Sequence, residues 1–260
     1  MCPNCRAFVT TSDRVCPYCE VPLGPRAIDR RNPGEILGGL IPHARFTTTM
    51  IILVNGIFFL ADNLGPWRGV ITQWGASMPA MIMDGQWWRL ITAGFLHGSI
   101  LHILMNSWAL FGIGAEVEQL YGTSRMIVFY FAATVVGFYA SSHTGHFSVG
   151  SSAGIFGLIG AMVAFGFTDK SHVGSMVKAY YSQWLIWGVI ISFFPGVDFM
   201  AHLGGFAGGF VAAFLASTPR ARLMWKEPLL RALAGASLAA TAFAFVMLYF
   251  AISRTSLLER

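Results

Sequence analysis

An all-α polytopic membrane protein with seven spans is predicted by three observations. Hydrophobic residues make up 55% of the 260 and charged residues only 11%, where a soluble domain carries about 25% charged, and the mean hydropathy is +0.60. Seven apolar stretches, centred near Leu53, Ser107, Ala133, Met162, Trp187, Phe210 and Ala244, each approach the roughly 20 residues that a spanning helix needs. Lysine and arginine then orient the bundle. Of the 17, only Arg68, Arg89, Arg254 and Arg260 fall on one side of the spans, so the rule that positive loops stay inside puts the N-terminus in the cytoplasm. A multi-pass protein of a bacterial-type inner membrane is the expectation. The net charge of +5 reads as a topology signal, and with no accompanying recognition motif it gives no reason to expect nucleic acid as a partner.

Residues 1–22 differ in kind from the rest. They hold all four cysteines, as Cys2-Pro3-Asn4-Cys5 and Cys16-Pro17-Tyr18-Cys19, with ten residues between the pairs. That arrangement matches a zinc-ribbon knuckle, in which four thiolates surround one metal ion. Two disulfides or a redox pair would use the same residues, but cytoplasmic thiols stay reduced. The expectation is therefore a structural zinc on Cys2, Cys5, Cys16 and Cys19, with no coordination position left for catalysis. So short a segment has too little core to fold without such a staple. It is also where a cytoplasmic partner would attach. Residues 23–45 read as a linker, since Val21 to Arg45 contains four prolines and four arginines. With the knuckle at the start of the chain, no cleavable signal peptide is expected.

The membrane core is predicted over residues 46–217, followed by a cytoplasmic loop and a seventh helix within 218–260. Between the first two spans, from about Ala61 to Ser99, lie Trp67, Trp74, Trp87 and Trp88 among few charges, which suits a segment lying in the membrane interface. The second span is expected to start near His97. It carries His102 and Asn106, four apart and so on one helical face. The segment from Ser141 to Val149 contains no Asp, Glu, Lys or Arg, as suits a shallow cavity mouth.

Alternating the spans from a cytoplasmic N-terminus brings the polar residues to one depth. Spans two, four and six all run inward, so His102, Asn106, Ser152 and His202 all fall near the outer face. Glycines in span four (Gly150, Gly154, Gly157, Gly160) and span six (Gly204, Gly205, Gly208, Gly209) make helices thin enough for close approach. A hydroxyl becomes a useful nucleophile only when a base takes its proton, and histidine is suited to that near neutral pH. Ser152 and His202 are accordingly the candidate nucleophile and base. Backbone N–H groups at the helix start by Ser152, with His102 and Asn106, are the candidate oxyanion donors. Asp198, one turn before His202, is expected to cap a helix, which leaves a dyad. Catalysis needs no cofactor on this reading.

On these residues the chain resembles the rhomboid intramembrane serine proteases over about residues 46–217. Gly150-Ser151-Ser152 is similar to the family's Gly-x-Ser, His102-Ile-Leu-Met-Asn106 to its oxyanion motif, and Ala201-His202-Leu-Gly-Gly205-Phe-Ala-Gly-Gly209 to its base-bearing helix. Trp88-Arg89 resembles the signature of the family's interfacial loop, and Glu118 with Gly122 the turn after span two. The resemblance implies a six-helix bundle plus one C-terminal helix, here Arg231 to about Ile252. It also implies cleavage of transmembrane protein substrates, within the lipid bilayer, near the outer ends of their spans. Two positions depart from the pattern. Phe156 stands where a tyrosine commonly packs on the catalytic histidine, which keeps the ring face and loses the hydroxyl. Gln86 stands where an acid is frequent three residues before the loop arginine, so the loop's hydrogen bonds are expected to differ.

Other histidines have plainer readings. His43, His143, His146 and His172 are expected in solvated loops, and His97 is expected to tie down the interfacial loop. Two other functions fit an intramembrane cluster of polar residues less well. An inactive rhomboid-like protein that binds or chaperones membrane proteins usually lacks the serine or the histidine, and a transporter would place its broken helices at mid-depth. Metalloprotease and aspartyl chemistry lack their motifs here.

Overall fold

The computed structural model describes residues 2, 4, 5, 15–23, 45–64, 67–145, 147–216 and 226–258. The chain divides into two compact units, Met1–Ala44 and Arg45–Arg260. His43, His146 and most of the expected linker lie outside the described residues. In the first unit, the described residues form a tight turn: the Cys16 amide donates to the Val21 carbonyl (3.0 Å) and the Glu20 amide to the Cys16 carbonyl (2.9 Å).

Among the described residues, the regular elements of the second unit are all helices. Its long helices are α1 (Phe46–Leu64), α2 (Ile100–Tyr121), α3 (Thr123–Ser142), α4 (Ser152–Thr168), α5 (His172–Ile191), α6 (Phe199–Ala216) and α7 (Lys226–Leu258). Each of the seven expected centres falls inside one of them. Five of these helices, α1, α2, α3, α6 and α7, are long and apolar enough by themselves to cross a membrane. The other two fall short for different reasons. Helix α4 has 17 residues, and every one from Ala153 to Gly166 is buried, so protein surrounds it and lipid thickness does not set its length. Helix α5 has 20 residues but carries Lys178, Tyr180, Tyr181 and Gln183.

Glycine stripes explain how α4 becomes the hub. A methyl group at Gly205 would lie 2.2 Å from the Ala153 carbonyl oxygen, and one at Gly209 would lie 2.1 Å from that of Gly157. Both are backbone atoms of α4, so only hydrogen fits. The neighbouring stripe faces α3, where a methyl at Gly204 would meet the Val136 carbonyl oxygen at 2.9 Å and one at Gly208 the Ala132 oxygen at 3.1 Å. Without a hydrophobic drive between helices in lipid, such close backbone contact is what holds them together. Helix α6 is thus wedged against α3 and α4 by two faces of small residues.

Helix α2 begins at Ile100, not near His97. Ser99 is the reason: its backbone is extended and its hydroxyl accepts the His102 amide at 3.2 Å, a helix N-cap. One turn of α2, Leu110–Gly114, widens to a π-helix. Glu118, buried at the other end of α2, accepts from the Thr47 amide (3.0 Å), the Thr48 amide (3.2 Å) and the Thr123 hydroxyl (3.1 Å). One carboxylate therefore satisfies two of the open amides of α1 and fastens the α2–α3 turn, where Gly122 has φ +82°.

The segment between α1 and α2 is folded rather than loose. It contains short helical turns at Val70–Gly75, Pro79–Met83, Arg89–Thr92 and Ala93–Phe95. Arg89, only 2% exposed, organises it by donating to the Gln73 (3.1 Å) and Ala76 (2.8 Å) carbonyls and to the Gln86 side-chain oxygen (2.8 Å). The amide oxygen of Gln86 accepts from the guanidinium without bringing a second charge. Helix α7 braces the same segment through a Trp87–Phe243 stack, with ring centroids 5.8 Å apart. It also begins a turn earlier than Arg231, and in that first turn Glu227 pairs with Arg125 of α3 at 2.5 Å.

Candidate active site

Ser152 is the first residue of α4, set there by the backbone before it. Gly150 has φ +131°, a conformation that a side chain rarely tolerates. Space also demands glycine at this point, since a methyl there would lie 2.7 Å from the His102 ring and 3.5 Å from the Asn106 side-chain nitrogen. The chain therefore turns sharply beside His102 and Asn106 and enters α4 at Ser152.

The Ser152 hydroxyl lies 2.8 Å from Nε2 of His202, which sits one turn into α6. The two residues are 50 positions apart and meet because Gly205 and Gly209 let α6 press on α4. Phe156, one turn after Ser152, stacks on the His202 ring with centroids 4.1 Å apart and planes 13° from parallel. The ring face alone makes this contact, so the missing tyrosine hydroxyl leaves it intact. Gly188 of α5 gives the phenyl its room, because a methyl there would lie 2.5 Å from Phe156 Cζ.

His102 and Asn106 line the turn before Ser152 from the side of α2. Asn106 is buried, and its amide nitrogen has no hydrogen-bond partner among the described residues. An unpaired buried donor is costly in a resting protein and is the kind of group that an incoming oxyanion would satisfy. His97 is also buried; its Nε2 lies 3.3 Å from the Ser151 hydroxyl, and its ring is 5.1 Å from that of His102. It joins the segment between α1 and α2 to the turn before Ser152, as does the Ser77–Ser148 pair, whose amides and carbonyls bond reciprocally at 3.0 Å. Trp88 is buried beside Arg89 and meets Trp87 edge-on at 6.5 Å. His143 stacks edge-on against Tyr139, while His172 opens α5 instead of lying in a loop because Ser171 caps that helix.

Asp198 bonds through both oxygens to groups other than the imidazole. One oxygen accepts the Ala201 amide at 2.9 Å and the other bonds the Ser141 hydroxyl, so it caps α6 and ties it to α3. The group on the far nitrogen of His202 is one that the sequence left unmarked. Ser192, at the end of α5, places its hydroxyl oxygen 2.6 Å from Nδ1. Lone serines are common in membrane helices, and the only signal was its spacing of four from Gly188.

In the first unit, the Sγ atoms of Cys2, Cys5, Cys16 and Cys19 all lie within 4.8 Å of one another, with Cys2–Cys19 and Cys5–Cys16 at 3.6 Å. None of the four forms a disulfide. Thiolates about 2.3 Å from a tetrahedral zinc stand about 3.8 Å apart, so the donor set fits that ion. The turn also favours the thiolate form. The Val21 amide, followed by the Asn4 side chain, pulls the Cys19 thiol down to about 6, and the Cys5 amide lowers Cys2.

Fold and site together define an integral, multi-pass membrane protein with a serine–histidine pair at the ends of two closely packed helices. The chain belongs to the rhomboid family: the model of the Rhomboid domain matches residues 84–219, just over half of the 260. It is similar to Rhomboid protease GluP of Bacillus subtilis (strain 168), 32% identical over 189 residues, covering 70% of this chain and 37% of that protein. RHOMBOID-like protein 5 of Arabidopsis thaliana is 33% identical over 158 residues, covering 58% of this chain and 51% of its own length. Rhomboid-like protease 2 of Toxoplasma gondii is 29% identical over 191 residues, at 69% and 66%. The chain thus spans between about a third and two thirds of these relatives.

Proposed function

We propose that this protein is an intramembrane serine protease that hydrolyses peptide bonds in or near the transmembrane segments of other membrane proteins. The observation that carries the reading is the 2.8 Å contact between the Ser152 hydroxyl and His202 Nε2. Family membership and the protease names of relatives in Bacillus and Toxoplasma support it. A protein that only bound its partners would have no use for that contact.

In the proposed reaction, Ser152 Oγ attacks the scissile carbonyl carbon while its proton passes to Nε2 of His202. The carbonyl oxygen gains the negative charge, which the unpaired Asn106 amide, His102 and the first amides of α4 stabilise. As the C–N bond breaks, the imidazolium gives its proton to the leaving nitrogen and an ester remains on Ser152. Water, deprotonated by His202, then releases the second fragment and restores the hydroxyl. The substrate would be a segment that unwinds readily near the outer face, and the excess of Lys and Arg on the other side of the spans supports that depth for the N-terminal end of α4.

The first test is covalent labelling of the purified full chain in detergent with a fluorophosphonate. One label per chain, located on Ser152 by peptide mass, is expected. Labelling of another serine in a protein that cleaves a model transmembrane peptide would overturn the choice of nucleophile.

We further propose that Cys2, Cys5, Cys16 and Cys19 hold one structural zinc and that this segment is the docking point for a cytoplasmic partner. When bound, the ion supplies folding energy and no chemistry to the peptide bond. Elemental analysis is expected to find one zinc per wild-type chain and almost none in Cys2→Ser. Equal zinc content in the two proteins would rule out this ligand set.

A further inference from the structure

We infer that Ser192 is the positioning residue that holds His202 in the tautomer a base requires, so that the pair works as a relay of three side chains, with a neutral hydroxyl in third place. The inference rests on the proposed roles of Ser152 and His202 as nucleophile and base. Ser192 is buried at the C-terminal end of α5, and its oxygen lies 2.6 Å from His202 Nδ1 and 2.7 Å from the Gly188 carbonyl oxygen.

Counting protons decides the direction of each bond. A neutral imidazole has one N–H and one lone pair. Ser152 and Ser192 each bring a single proton, and the Gly188 carbonyl brings none. The Ser192 proton has that carbonyl to go to, in the bond that a helical serine commonly makes to the residue four before it. The Ser152 proton has only the imidazole, since His202 Nε2 is its one hydrogen-bond partner among the described residues. Every proton finds an acceptor in only one pattern: Ser192 donates to Gly188, His202 Nδ1–H donates to Ser192, and Ser152 donates to Nε2. In the reverse tautomer Nε2 would donate toward Ser152, and the hydroxyl proton of Ser152 would have no acceptor among the described residues.

The surroundings leave Ser192 without a rival for this task. Asp198 bonds the Ala201 amide and the Ser141 hydroxyl and makes no hydrogen bond to the imidazole. Phe156 holds the ring only by its face and exerts no preference between the two nitrogens. The same turn of α5 serves both contacts, since Gly188 accepts from Ser192 and makes room for Phe156. A hydroxyl orients the imidazole without the electrostatic support that a carboxylate gives an imidazolium, so its expected contribution is that of one neutral hydrogen bond.

The test is the ring nitrogen spectrum of the full chain in detergent micelles, labelled with 15N-histidine and with His202 assigned by comparison with His202→Gln. Above the titration of the ring, wild-type protein is expected to show Nδ1 protonated and Nε2 unprotonated. Ser192→Ala is expected to populate both tautomers and to lower kcat about tenfold, the scale of one hydrogen bond, with KM unchanged. Ser192→Thr, which keeps the hydroxyl, is expected to restore both. A wild-type His202 protonated at Nε2, or a Ser192→Ala protein with unchanged tautomer and kcat, would overturn the inference. The spectrum needs no turnover, so a wild-type protein inert toward every peptide would sink the proposed protease activity while still reading out the hold on His202. The wrong tautomer in an active protein would sink this inference alone.

Discussion

Ser152→Ala is expected to abolish cleavage of a model transmembrane peptide, with kcat falling by about a million-fold as when a soluble serine protease loses its nucleophile. That is about 8 kcal/mol of transition-state stabilisation, far more than any oxyanion donor supplies. His202→Ala is expected to do nearly the same, because a hydroxyl with its only proton acceptor removed does not attack. The two losses should not add: in a proton relay either deletion disables the whole, so the double variant should match the single ones. Gel analysis of cleavage in liposomes, with wild-type enzyme diluted to set the detection floor, measures all three. A Ser152→Ala protein that kept even a hundredth of wild-type activity would mean that another group attacks the peptide.

Gly209→Ala should be nearly as damaging, although it lies two helical turns from His202 and touches no reacting atom. Its new methyl would fall 2.1 Å from the Gly157 carbonyl oxygen and 2.4 Å from the Gly157 Cα. Neither atom belongs to a side chain that can swing away, so α4 and α6 must move apart. Overpacking of this kind costs about 1–3 kcal/mol and more where backbone is in the way. The same separation would stretch the 2.8 Å contact between Ser152 and His202, since each residue sits on one of the two helices. A lower thermal unfolding midpoint in detergent, together with loss of fluorophosphonate labelling, is therefore expected. Gly235→Ala, where nothing lies within 4 Å of the added methyl, is the control and should leave both unchanged. Equal behaviour of the two variants would mean that the glycine stripe does not set the spacing of the helices.

Much of the fold was legible because lipid imposes a simple rule on sequence. A helix in hydrocarbon must satisfy its own backbone and present apolar side chains, so the seven stretches from Leu53 to Ala244 each mark a helix. Boundaries were less legible where a polar side chain decides them. Ser99 delays α2 to Ile100 by capping it. Helix α4 is apolar for a different reason from its neighbours, because protein encloses it on all sides. Hydropathy does not distinguish a helix buried in protein from one facing lipid.

Of the candidate site, the sequence by itself supplied the candidates: Ser152, His202, His102 and Asn106, at a shared depth implied by alternating spans. It also determined the glycines that let two helices touch and the four cysteines at knuckle spacing. Depth follows from counting residues along each helix, and chemistry follows from residue type, so both survive without coordinates. Tertiary structure alone decided which faces meet. The contact of Ser192 with His202 Nδ1 and the fit of Phe156 against Gly188 both depend on the rotation of α5 about its axis. That rotation is set by packing between helices distant in sequence. A serine in an apolar helix therefore carries no mark of its role until the neighbouring helix is in place.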